Sequence, residues 1–105
     1  MLKIVTLMKR RAGLSVDDFQ NHLRSKYGPL AAKGPGLRRY VQSLALVQGY
    51  AKGELLFDAI GEMWFDSTAV YDNYLRSPQF AAAFMRICIK FEISAWLEAK
   101  PNANR

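Results

Sequence analysis

The sequence predicts an α+β domain whose elements run β-α-β-β-α-β, forming one antiparallel sheet with helices on one face. Three observations predict it. Apolar residues recur at helical spacing in two segments; runs rich in Val, Ile, Leu and aromatic residues lie before, between and after them; and Gly, Pro or Ser/Asp clusters punctuate the junctions. At 105 residues, 50% of them hydrophobic, the chain is one domain spanning 1–105 with enough apolar mass for a core.

Leu2 to Lys9 carries apolar residues on both alternating sets, as a strand buried on both faces does. Arg10 to Leu14, with Gly13, is a turn. Ser15 and Asp18 then make a capping-box-like helix start, and Asp17 and Asp18 complement the positive helix end. The helix stripe is Val16, Phe19, Leu23, Tyr27 and Leu30, and Gly28-Pro29 predicts a kink or a break with a short restart. Gly34-Pro35-Gly36 closes this layer. Leu37 to Val47 reads as the second strand, Gln48 to Glu54 as a loop, and Leu56 to Phe65 as the third strand. Asp66-Ser67 caps a helix with Val70, Tyr71, Tyr74 and Leu75 on one face. Ser77-Pro78 restarts it, and Phe80, Phe84, Ile87 and Cys88 form a stripe from Gln79 to about Ile89. Lys90 to Ala99 alternates as a last strand, and a polar tail follows Pro101.

Such a sheet has one uncovered face. If Met63 and Phe65 meet the helices, Ile60 and Trp64 do not, and an apolar sheet face of that size is an interaction surface. A homodimer through the open sheet face is therefore expected, two sheets packing across a twofold axis.

Composition excludes several function classes. Fifteen Lys and Arg against nine Asp and Glu give a formal charge of +6, but the basic residues are scattered and no RNA-binding aromatic signature accompanies them, so no nucleic-acid partner is expected. The single Cys88 excludes an internal disulfide framework and fits a reducing compartment. Met1 to Met8 followed by Lys9-Arg10-Arg11 reverses the charge order of a signal peptide, and no apolar run is long enough for a membrane span; the expected location is cytoplasmic. There is no Gly-rich phosphate loop, no Ser/His/Asp set and no metal-ligand spacing, so neither a metal nor a cofactor is expected.

Leu2-Lys-Ile-Val-Thr-Leu-Met-Lys-Arg10, Gly13-Leu-Ser-Val-Asp-Asp-Phe19, Tyr27-Gly-Pro-Leu30, Pro35-Gly-Leu-Arg-Arg-Tyr-Val-Gln42 and Ala59-Ile-Gly-Glu-Met-Trp-Phe-Asp-Ser67 resemble, in order and spacing, the successive blocks of the EthD family. The resemblance implies a ferredoxin-like dimeric α+β barrel. It also implies relatives that isomerise a lactone of aromatic catabolism, or that dehydrate, decarboxylate or cyclise polyketides. The function it points to is a cofactor-independent isomerase, cyclase or lyase working by acid/base chemistry on a small, hydrophobic, oxygenated cyclic or polyketide-like ligand. A non-catalytic binding protein and a cofactor-free monooxygenase of the same fold are the alternatives.

The resemblance directs attention to three polar residues. Tyr40 matches a functional tyrosine; its phenol either donates to a developing enolate or simply packs in its strand. Tyr27 stands where relatives commonly carry histidine. A tyrosine is a poor base near neutrality, and its place on the apolar stripe points to core packing. His22, the only histidine, flanks the stripe and either replaces that missing histidine or is a half-exposed helix residue without a role. Met63, Phe80 and Phe84 would shape an apolar pocket. Glu62 shares the face of Trp64, where a dimer-facing carboxylate needs a partner such as an arginine. Cys88 on a helical stripe would pack as a small hydrophobe.

Overall fold

The computed structural model of the chain describes residues 1–83 and 88–98, with side-chain placement over residues 1–80. Strands β1 (Leu2–Arg10), β2 (Arg39–Leu44), β3 (Ala59–Phe65) and β4 (Cys88–Glu98) form one sheet in the order β2-β3-β1-β4. All three pairings are antiparallel. The architecture is the expected ferredoxin-like α+β fold, with β1 and β3 central and β2 and β4 at the edges.

The register explains the two faces. Ile4 lies opposite Met63, and Met63 opposite Tyr40, so these three side chains form one row beneath the helices. Along β1, Ile4, Thr6 and Met8 are buried, and along β3 Ala59, Gly61, Met63 and Phe65 are. The opposite rows run Lys3, Trp64, Arg39; Val5, Glu62, Val41; and Leu7, Ile60, Ser43. The period of two thus places Met63 and Glu62 on opposite faces.

Ser15 caps α1 (Val16–His22) by accepting from the Asp18 amide at 3.1 Å. The expected break at Gly28-Pro29 is instead a widened turn: Leu23–Tyr27 is π-helical, and α2 (Gly28–Ala32) follows without interruption. The Gly28 amide bonds back to Leu23, and Pro29, which has no amide proton to give, opens the next α segment. Ser67 caps α3 (Thr68–Leu75), while its neighbour Asp66 binds the Arg38 guanidinium at 3.0 and 3.1 Å. Ser77 accepts from the Phe80 amide at the start of α4 (Pro78–Ala83).

Two apolar clusters fill the space between layers. One joins Ile4, Met63, Phe65, Tyr71 and Tyr74, with Tyr40 and Phe80 packed against it. The other joins Met8, Phe19, Leu23 and Ala59, with Tyr27 and Leu44 against it.

Three boundaries differ from expectation. β2 is shorter, and Val47–Tyr50 forms a 3₁₀ turn where strand and loop were expected to meet. β3 starts at Ala59, since Leu56 is 80% exposed in the preceding loop. Cys88 lies at the first position of β4, opposite Arg10, and not on a helix; a short apolar run with Ile87 and Ile89 fits either period, and pairing with β1 decides it.

Candidate functional site

The polar group under the helices is built where β2 meets the π turn. Gln42, two residues after Tyr40 and on the same face, donates from Nε2 to the Leu23 carbonyl and to the Tyr40 hydroxyl, both at 3.0 Å. Gly28 makes this approach possible. A Cβ there would stand 2.8 Å from the Leu23 oxygen and 2.9 Å from Gln42 Nε2, closer than real Cβ contacts allow. Burial pushes the Tyr40 phenol up to about 12, against the opposing effect of the Gln42 hydrogen bond. At neutral pH Tyr40 is therefore a donor and not a base.

The other predicted residues fall around this junction. His22 ends α1, half-buried, one residue before the Leu23 carbonyl that Gln42 binds. Burial, and then the Lys26 charge, hold its imidazole below the ordinary 6.5, so it is neutral at pH 7. Tyr27 ends the π turn and packs against the second cluster. Met63 lies beside Tyr40 in the first cluster, and Phe80 packs there with its ring 5.7 Å from that of Tyr74. Phe84 is outside the described residues. Tyr40, Met63 and Phe80 are thus brought to one cluster, with Gln42 bridging toward the π turn.

Two surface cavities lie elsewhere. One of about 310 Å³ is lined by Lys33, Pro35, Asn73, Arg76 and the start of α4. Another of about 200 Å³ is lined by Ser43, Leu44, Phe57, Asp58 and Ile60. No predicted site residue lines either. Among the described residues no group of three or more His, Cys, Asp or Glu is placed to hold a metal ion, and no helix is long and apolar enough to cross a membrane.

Sequence reasoning missed Gln42 and, more strongly, Asp58. Asp58 is fully buried, and its carboxylate accepts from the Arg10 amide at 2.7 Å and from the Tyr50 hydroxyl. Lys9 Nζ is 3.4 Å away, and Arg10 Nε, 3.6 Å away, has no hydrogen-bond acceptor of its own. Glu54 completes the cluster by binding both cations. Burial raises the Asp58 carboxyl, but the Tyr50, Arg10 and Lys9 contacts outweigh it and hold the group below 3.8. Burial and the same carboxylate push Tyr50 up to about 12. This cluster ties the end of β1 to the β2–β3 connection. On the open face Glu62 has a cationic partner, Lys3 at 2.6 Å, because the β1–β3 register puts Lys3 diagonal to it. Lys3 and Arg39 also flank the Trp64 ring at 4.9 and 5.0 Å.

The EthD domain family model matches residues 11–91. Among solved structures, an ethyl tert-butyl ether D (EthD) family protein from Bacillus halodurans C-125 superposes with a TM-score of 0.64 at 25% identity over 79% of each chain. A dimeric ferredoxin-like protein of unknown function from Thermobifida fusca YX gives 0.62 at 21% identity, over 78% of this chain and 73% of its own. The hydroxynitrile lyase of Passiflora edulis gives 0.65 at 19% identity over 96% of both chains. The last two likenesses are of fold alone. No functionally curated protein is significantly similar in sequence.

Proposed function

The chain belongs to the EthD family, and we propose from this that it is an enzyme without cofactor that moves a proton on a small, hydrophobic, oxygenated substrate, isomerising, cyclising or cleaving it. One observation carries the reading: the Tyr40 hydroxyl accepts from Gln42 and donates to no described residue, so a mostly buried phenol keeps its own proton for a ligand. A carbonyl whose α-carbon loses a proton becomes an enolate, and a neutral phenol in a dry setting stabilises that oxygen as charge develops. His22, neutral at pH 7, takes the proton from carbon and returns it at another carbon, so an isomerisation balances without oxidant. Met63 and Phe80 supply apolar walls from the first cluster, and Tyr27 packs against the second from the π turn.

The test uses a β,γ-unsaturated butenolide, whose shift to the α,β-unsaturated isomer is followed by ultraviolet absorbance. Tyr40→Phe and His22→Ala, each confirmed as folded, are expected to lower the rate by about 100-fold. Because the basic form of His22 is the active one and its pKa is lowered, the acid limb of the wild-type profile should fall below pH 6.5 and vanish in His22→Ala. Unchanged rates in both variants would remove the assignment. A second reading, a non-catalytic binding protein, is favoured by Tyr27, which packs against the core where a base would be needed. Its signature is saturable binding with no product.

A homodimer through the open sheet face belongs to the same proposal. Ile60 is 37% exposed there, level with Leu7, and Val5 faces Val41 across Glu62. The fold neighbour from Thermobifida fusca is dimeric. Val41→Glu, which adds a carboxylate beside Glu62, should yield monomers by sedimentation where the wild type sediments as a dimer; a monomeric wild type would reject the arrangement.

A further inference from the structure

We propose that Gln42 is a positioning residue that aims the Tyr40 hydroxyl, acting through Tyr40 and not on the ligand; this rests on the reading of Tyr40 as the donor of the site. The orientation of the Gln42 amide follows from chemistry. The atom it presents at 3.0 Å to the Leu23 carbonyl must be the nitrogen, because a carbonyl oxygen can only accept. The same nitrogen is 3.0 Å from the Tyr40 oxygen, so each of its two hydrogens has one acceptor. Tyr40 is then an acceptor toward Gln42, and its O–H must point away from the Gln42 amide.

The π turn holds the arrangement in place. The Leu23 oxygen also accepts from the Gly28 amide, so both its lone pairs are used, and the Gln42 side chain has no freedom to rotate without losing a bond. A regular α turn would not bring the Gly28 amide onto this carbonyl, and any side chain at position 28 would fill the space that the Gln42 amide occupies. The widened turn, the glycine and the glutamine together fix the direction of one phenol proton. An accepted hydrogen bond also makes the Tyr40 oxygen a better donor to a developing oxyanion, since it favours charge on that oxygen.

The experiment separates aiming from mere packing. Protein labelled with ¹³C at the tyrosine ζ position is prepared as wild type, Gln42→Met, Tyr40→Phe and the double variant. Gln42→Met keeps the length of the side chain and removes its donor. The resonance lost in Tyr40→Phe identifies Tyr40, and in Gln42→Met it should shift because the accepted hydrogen bond is gone. With the butenolide, Gln42→Met should lower kcat about tenfold with little change in KM, and add nothing to the loss already present in Tyr40→Phe. An unmoved Tyr40 resonance overturns the proposal. So does a Gln42→Met loss that persists in full in the Tyr40→Phe background, because it would be acting by another route. If Tyr40→Phe keeps wild-type turnover, it is the donor reading that fails, and the positioning role falls with it, whatever the resonance does. Should Gln42→Met not fold, Gln42→Asn, which keeps an amide too short to span both acceptors, gives the same readings.

Discussion

Replacing Asp58 by alanine should lower the free energy of unfolding by about 3 kcal/mol, because it takes from Lys9 and the half-buried Arg10 the buried one of their two carboxylate partners and leaves them the exposed Glu54. The loss is larger than that of an exposed ion pair, since Asp58 is fully buried and the Tyr50 hydroxyl and the Arg10 amide also lose their acceptor. The same residue sets an acid limit. Its folded pKa lies below 3.8, so its stabilisation is fully present above that value and is lost as pH falls through the lowered one. Urea titrations at fixed protein concentration should show a steeper decline below about pH 4 in the wild type than in Asp58→Asn. Equal acid sensitivity would mean that Asp58 binds its proton equally well in the folded and unfolded chain.

Gly34→Ala is expected to cost about as much, near 3 kcal/mol, at the upper end of what overpacking does. The added Cβ would stand 2.0 Å from Tyr74 Cε2 and 2.5 Å from Cδ2. The ring cannot yield. Tyr74 is 1% exposed, its hydroxyl is tied to the Ala31 carbonyl at 2.9 Å, and Phe65 and Phe80 flank it at 5.1 and 5.7 Å. A double-mutant cycle checks the cause: in a Tyr74→Leu background the cost of Gly34→Ala should shrink by at least half, whereas a cost arising in the chain turn itself would be unchanged.

Much of the fold was legible because its punctuation is local. Ser15 and Ser67 cap helices at the positions their side chains suggest, Gly34-Pro35-Gly36 separates α2 from β2, and Pro78 opens α4. Alternation along β3 correctly separated Met63 from Glu62. What remained hidden depends on partners far along the chain. Leu56 and Phe57 look like strand residues, yet the register with β1 begins at Ala59. Asp58 is a single carboxylate in an apolar run, and nothing near it announces Arg10, 48 residues earlier. Gln42 reads as an ordinary strand residue until the π turn, 19 residues before it, offers Leu23. Tyr40 was found through its family block, and its orientation was not, because that depends on Gln42.

The π turn also has a bearing on how this chain should be compared with its relatives. A turn of this kind holds one residue more than a regular helix needs to span the same rise. Phe19 before it, Leu23 at its first position and Ala31 after it are nevertheless all buried. A homologue with an unbroken α-helix here can be one residue shorter and keep both faces in phase, whereas the same deletion elsewhere in the helix would swing the following residues about 100° around its axis. Alignments should therefore place a single-residue gap within 23–27, and chains lacking that residue should also lack the glycine–glutamine pair that the wide turn accommodates.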